Sequence, residues 1–245
     1  MTTREKAILC GLYLSKFDNE GLKALGFESF KEAFNVMGFA LGTKPASIKN
    51  YRDELDPMFP NPRQGWHQRP LREHCRRVFE RYKDLDLPSL SKLVCSITDE
   101  TAVIDDAEDA DVQAESESFA KRLITGKSAE RFFVENYRKE PVFSSADIVD
   151  MTQAGCGFDF KLQSPEFDDF LAVEVKGMRS QKGVIALTSK EYRVAGRMGC
   201  NFYLYVVKNF DELPFSENIR NPLGAGIQFD RVERRIIQIS WSAKV

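Results

Sequence analysis

Histidine is almost missing from this 245-residue chain, with His67 and His74 the only two. A centre built on a histidine base, an HNH-type nuclease or a His/Cys zinc site therefore has little to draw on, and both residues are expected on the basic surface of the N-terminal half. Cysteine is scarce in a second sense: Cys10, Cys75, Cys95, Cys156 and Cys200 are odd in number and share no paired spacing. That excludes a disulfide framework and fits thiols in a reducing cytosol. Long apolar runs are missing too, with nothing near the ~18 residues that suggest a membrane span. The apolar stretch after Met1–Lys6 is broken by Gly11 and Lys16, so no export signal is visible. The expectation is a soluble cytoplasmic protein with no membrane partner. A phosphate-binding loop is also lacking: Gly224 and Gly226 lie in an expected loop, Ile219–Phe229, with no following Lys-Ser/Thr and a strand next, Arg235–Trp241.

An excess of basic charge is missing from the overall count as well, since 35 Lys+Arg face 37 Asp+Glu for a net charge of −2. The balance changes once it is divided along the chain. Residues 86–120 hold ten acids and one base, so the remaining 210 residues carry +7. The run from Thr98 to Asp111 has few large apolar residues and reads as a solvated linker, residues 98–117, between two folded parts. A sharper role, competition with nucleic acid for a basic cleft, is the alternative. The content of 42% hydrophobic residues, including 19 Phe, is ample for buried cores.

Before the linker, residues 1–97 show helical spacing of apolar residues over 5–16, 28–41 and 70–83. The segment 42–55 has Thr43 as a candidate cap, Pro45 in the first turn, and Ile48, Tyr51 and Leu55 on one face. Lys44, Lys49, Asn50 and Arg52 are then expected outward, as in a helix-turn-helix reader whose Asn and Arg address base edges and whose lysines address phosphates. Residues 40–85 carry ten bases to six acids, which extends that character. Trp66 is expected to pack over its loop or stack on a base.

After the linker, residues 118–245 change pattern. Phe170–Gly177 is an apolar run in which Glu174 and Lys176 alternate with Val173 and Val175, so the charged pair shares one face of a strand. Asp159 lies fifteen positions before Glu174 in a Gly-rich turn, and Leu162–Asp169 reads as the connection of a hairpin that sets Asp159 beside Glu174. Two hard oxygen ligands, completed by the Val175 carbonyl and waters, suit Mg²⁺ or Mn²⁺, and the lysine suits positioning of an attacking water. An acid two residues ahead of a lysine occurs twice, at Asp159–Lys161 and Glu174–Lys176, as composition alone gives. The order of elements is what distinguishes the second. Glu191 follows Thr188 by three residues and so reads first as half of a capping box on a helix over Lys190–Met198. Lys190 and Arg193 on its first turns are candidate phosphate contacts.

From about Ser118 to Val207 these residues resemble the PD-(D/E)xK nuclease superfamily. The closer similarity is to the domain named after the C-terminal region of the plant protein NO VEIN, found in bacterial restriction and defence proteins. The resemblance rests on Gly126–Phe133, Gly157–Phe160, Val173–Gly177 and Leu187–Ala195. It implies an α+β or α/β restriction-endonuclease-like core with a mixed central sheet flanked by helices, joined here to an all-helical recognition domain. It further implies Asp159 and Glu174 as metal ligands, Lys176 as catalytic lysine and Glu130 as accessory acid. The proline of the superfamily's name is absent, with Phe158 in its place. The activity implied is Mg²⁺- or Mn²⁺-dependent cleavage of double-stranded DNA, with a homodimer or a separately encoded ATPase or helicase as possible partners. An inactive nucleic-acid- or partner-binding module and an RNA-directed nuclease are the alternatives.

Overall fold

The structure, a computed structural model, describes residues 1–63, 65, 69–98 and 124–232. Trp66, His67, the acidic segment from Asp99 onward and the expected strand Arg235–Trp241 lie outside the described residues.

The first half is helical where its apolar spacing requires it. Helix α1 (Thr3–Ala24) opens on a capping box, with Thr2 Oγ1 accepting from the Glu5 N–H at 3.2 Å and Glu5 Oε2 accepting from the Thr2 N–H at 2.8 Å. Ala7 to Ser15 are buried without a break, so this helix is enclosed rather than lying on a surface. It runs past the spacing at 5–16 and kinks at Asp18, whose φ is +48°. Helices α2 (Phe30–Ala40), α3 (Pro45–Leu55), α4 (Glu73–Tyr82) and α5 (Leu87–Thr98) complete the helical half and pack on α1. Helix α5 occupies the start of the acid-rich segment, with Leu90, Val94, Cys95 and Ile97 buried. Pro45 takes the first turn of α3 as expected. The cap, however, is Lys44 rather than Thr43, and it makes no side-chain capping bond.

The second half makes the protein α+β. Helix α6 (124–136) precedes β1 (Asp147–Asp150), β2 (Phe160–Gln163), β3 (Leu171–Gly177), α7 (Ser189–Met198), β4 (Phe202–Lys208) and β5 (Phe215–Arg220). Among the described residues the strands form one mixed sheet in the order β1-β2-β3-β4-β5, with only β3 and β4 parallel. Because β5 extends to Arg220, the loop expected from Ile219 begins two residues later. Glu217 and Asn218 make that strand too polar to stand out by its pattern.

Helices cover both sheet faces, which is why β3 and β4 are nearly continuous apolar runs. On one face Phe133 of α6 stands 4.8 Å from Tyr205 and 4.9 Å from Phe160, centroid to centroid. On the other, Ala172 and Phe202 meet Val194 and Ala195 of α7. The helical half shares the core of the first face. Ser128 Oγ donates to the Val36 carbonyl at 2.5 Å, Asn35 Nδ2 donates to the Phe210 carbonyl at 2.6 Å, and Phe39 lies edge-on to Phe132 at 5.5 Å. Arg179, just after β3, joins Asp211 at 2.8 Å and pairs with Glu28 beside α2. Among the described residues no helix is long and apolar enough to cross a membrane.

Candidate functional site

Alternation along β3 sends Val173 and Val175 into the core shared with α6 and leaves Glu174 and Lys176 on the α7 side. Antiparallel pairing of Phe160 with Val173 then brings the residue before β2, Asp159, level with Glu174. The ladder changes character at that point. The Asp159 N–H still donates to the Val173 carbonyl at 3.0 Å, but the Asp159 carbonyl turns to accept from the Met151 N–H at 2.8 Å. The side chain takes the vacated place, with Asp159 Oδ2 accepting from the Val175 N–H at 2.8 Å. This aspartate is therefore fixed by the backbone of the strand that carries Glu174.

The turn before Asp159 needs glycine. Gly157 has φ +95°, and a Cβ there would stand 2.8 Å from Val194 Cγ2 and 3.2 Å from Lys190 Cγ, so the turn lies directly on α7. At the other end of β3, a Cβ on Gly177 would come within 2.9 Å of the Thr125 carbonyl, so the strand ends against the first turn of α6. Helix α6 carries Glu130, which pairs with Lys127 at 3.0 Å and is near enough to Asp159 to raise the pKa of its carboxyl.

Lys176 Nζ lies between two carboxylates, 2.5 Å from Glu174 Oε1 and 2.8 Å from Glu191 Oε2. Burial opposes its charge, but Glu174 and Glu191 outweigh burial and raise its pKa above the usual lysine value. The two strand acids are also shifted upward. Burial, then the neighbouring acids Glu130 and Glu191, push Asp159 to about 6 against the backbone bond from Val175. Burial first and the Asp159 charge second push Glu174, only 3% exposed, to about 8. A carboxylate 2.5 Å from an ammonium is ordinarily held low. Glu174 goes the other way because burial first, then the Asp159 charge and the weaker Glu191 charge, together outweigh the ammonium.

The cluster therefore holds more acids than its one lysine can pair, and its remaining donors are hard oxygens. That donor set fits a divalent Mg²⁺ or Mn²⁺. Among the described residues no group of three or more His, Cys, Asp or Glu side chains is gathered to hold a metal ion. Asp159, Glu174 and the Val175 carbonyl are the oxygens that could hold such an ion, with water for the remaining positions.

Glu191 is the residue that sequence reasoning undervalues. The capping box it suggests is present, Thr188 Oγ1 accepting from the Glu191 N–H at 3.3 Å and Glu191 Oε2 from the Thr188 N–H at 2.9 Å. The same Oε2 also reaches Lys176. Lys190 and Arg193 are exposed on α7 as expected, donating to the Gly155 and Ser189 carbonyls respectively.

The α3 residues divide. Lys44, Lys49 and Asn50 are exposed, Lys49 pairing with Asp53 at 3.0 Å. Arg52 is not outward. It is 8% exposed, with its guanidinium 4.8 Å from the Phe30 ring centroid and 4.9 Å from that of Phe34, and it bonds Asp53 at 2.6 Å. Position 52 is one turn after Ile48, so it continues the buried stripe, and the aromatic faces of α2 accept a cation there.

Neither a curated protein nor a solved structure matches this chain. Residues 129–219, which run from α6 into β5 and include Glu130, Asp159, Glu174, Lys176 and Glu191, match the family model described as Protein NO VEIN, C-terminal.

Proposed function

We propose that this chain is a Mg²⁺- or Mn²⁺-dependent DNA endonuclease of the PD-(D/E)xK kind, acting in restriction or phage defence. The observation that supports it best is the end of β3, where Asp159 is bonded to the Val175 N–H and Glu174 touches Lys176. Hydrolysis forms a bond from a water oxygen to phosphorus, breaks the bond to the leaving oxygen, and returns a proton to that oxygen. Asp159, Glu174 and the Val175 carbonyl would hold the divalent ion, which when bound supplies charge neutralisation and Lewis acidity at the phosphate. Lys176 keeps an ammonium beside them, able to donate to a phosphate oxygen or to orient the water. Glu130 adds a negative charge from α6.

A polyanion needs cations beyond the reacting group, and α7 presents them. Lys190, Arg193 and Arg197 border a shallow cavity of about 420 Å³ and have no carboxylate partner among the described residues. On α3, Lys44 and Lys49 suit phosphates and Asn50 suits a base edge in the major groove of double-stranded DNA. Cutting both strands would call for a second copy of the chain. The defence role rests on the family resemblance and on the match over residues 129–219.

The test is incubation of the full chain with plasmid DNA, genomic DNA from several sources, and RNA, in Mg²⁺, Mn²⁺ or EDTA, beside Glu174→Ala. Nicked or linear DNA is expected with metal and none in EDTA or with the variant. Cleavage that survives exhaustive chelation, or full activity in Glu174→Ala, refutes the site. Preferential loss of RNA would reassign the substrate.

A further inference from the structure

We propose that Glu191 is a positioning residue whose carboxylate holds the Lys176 ammonium in place, and that this role is separable from its capping of α7. The proposal deepens the nuclease reading and rests on it for its consequence in catalysis. Its structural half stands on geometry alone.

A capping-box glutamate normally spends its carboxylate on one N–H at the helix start. Here Glu191 Oε2 accepts from the Thr188 N–H at 2.9 Å and from Lys176 Nζ at 2.8 Å. The cap therefore orients the carboxylate, and the carboxylate orients the lysine. Lys176 sits at the end of a strand, with a flexible four-carbon stem that is costly to order. Its other contact is Glu174, one of the two acids assigned to the metal. A lysine dependent on Glu174 alone would lose its anchor whenever that carboxylate was engaged elsewhere. Glu191 comes from a different element, outside the proposed ligand set, and supplies an anchor that persists. The 15% side-chain exposure of Glu191 and 22% of Lys176 place the pair where water competes weakly.

The two roles predict different behaviour. Glutamine also serves at the third position of a capping box, so Glu191→Gln preserves the cap and removes the charge that holds Lys176. Thr188→Ala does the reverse, removing the hydroxyl half of the cap while the Thr188 N–H and the Lys176 contact remain. The experiment compares full-length wild type, Glu191→Gln and Thr188→Ala by thermal melting, by the ¹⁵Nζ signal of the Lys176 ammonium in metal-free protein, and by plasmid cleavage in Mg²⁺. In Glu191→Gln the melting temperature should stay near that of wild type and the Lys176 signal should broaden or vanish. Its kcat should fall at least tenfold with KM little changed. Thr188→Ala should melt lower yet keep both the lysine signal and kcat.

An unaltered Lys176 signal with wild-type kcat in Glu191→Gln overturns the proposal and leaves Glu191 a cap. If wild type cleaves nothing, the nuclease reading fails by itself, and the lysine signal still decides whether Glu191 holds Lys176. Should Glu191→Gln not fold, Glu191→Asp, which keeps the charge but falls one methylene short, is read by the same signal: broadening supports the anchor and a wild-type signal refutes it.

Discussion

Replacing Glu174 by glutamine should make the metal-free protein more stable at pH 8 and leave it little changed at pH 5. Burial and the Asp159 charge raise Glu174 from the ordinary 4.5 to about 8 in the folded chain. A folded-state pKa above the unfolded one means that the native protein binds the extra proton, so stability is full below pH 4.5 and is lost as pH rises toward 8. Asp159, raised from 3.8 to about 6, acts in the same direction over a lower window. At pH 8 the raised Glu174 alone costs roughly 4 kcal/mol relative to the unfolded chain, before Asp159 is counted. Glutamine removes one of the two charges, relieves Asp159, and still offers an oxygen to Lys176, which retains Glu191. For a chain of this size, about 3 kcal/mol corresponds to a rise in melting temperature of at least about 6 °C.

Melting curves of both proteins in EDTA, followed by circular dichroism from pH 5 to 8, measure the difference. Mn²⁺ should reverse the order, stabilising wild type by about 3 kcal/mol at one hundred times its Kd while leaving the variant almost unaffected. If Glu174→Gln melts below wild type at pH 8 in EDTA, the ion pair with Lys176 is net stabilising and the reasoning about the carboxylate pair fails.

Four further outcomes can be checked. Asp159→Ala and Lys176→Ala should each lower plasmid cleavage by about a hundredfold or more, with the far-ultraviolet spectrum unchanged. Lys49→Ala should weaken binding to all DNA duplexes alike and reduce the salt slope by about one unit, whereas Asn50→Ala should relax sequence preference, losing about 1–3 kcal/mol of discrimination; equal effects on cognate and scrambled duplexes would remove Asn50 as a base reader. Arg52→Ala should act on stability, costing about 3 kcal/mol in urea unfolding, because Phe30, Phe34 and Asp53 lose a shared partner. Gly157→Ala should destabilise by more than about 1 kcal/mol and reduce cleavage, since the added methyl meets Val194 and shifts the turn that ends at Asp159.

Strong periodicity makes some parts of the fold legible in the amino-acid sequence itself. Apolar runs at 171–177 and 202–207 signal two strands buried on both faces, and the spacing at 28–41 and 70–83 signals α2 and α4. The elements that escape are polar or masked by charge. Among the described residues β1 and β5 are edge strands with exposed, mixed side chains, and α5 sits beside so many acids that its buried Leu90 and Val94 do not stand out. At the site, strand alternation is strictly local, so the shared face of Glu174 and Lys176 is legible, and the hairpin makes Asp159 the natural partner. The link from Glu191 to Lys176 is not, because a capping box is a complete explanation within its own helix. Arg52 misleads for a similar reason: charge suggests solvent, and only the aromatic faces of α2 show where the guanidinium goes.

The common core of α2, α6 and the sheet bears on how such a protein could be divided. Phe39, Phe132 and Phe210 meet where the helical half lies against the sheet half, and Ser128 and Asn35 spend their polar groups across that boundary. A fragment beginning at residue 112 would turn this oily surface toward water, leave the Phe210 carbonyl without its Asn35 donor, and take the Val36 acceptor from the Ser128 hydroxyl. The acidic stretch looks like the natural place to cut, but the seam in three dimensions lies elsewhere. Exchange of the helical half for another reader, in the laboratory or over generations, would have to bring along a matching α2 surface. On the nuclease reading proposed above, specificity would be tied to the upkeep of a buried joint, and would drift more slowly than where a reader hangs on a free tether.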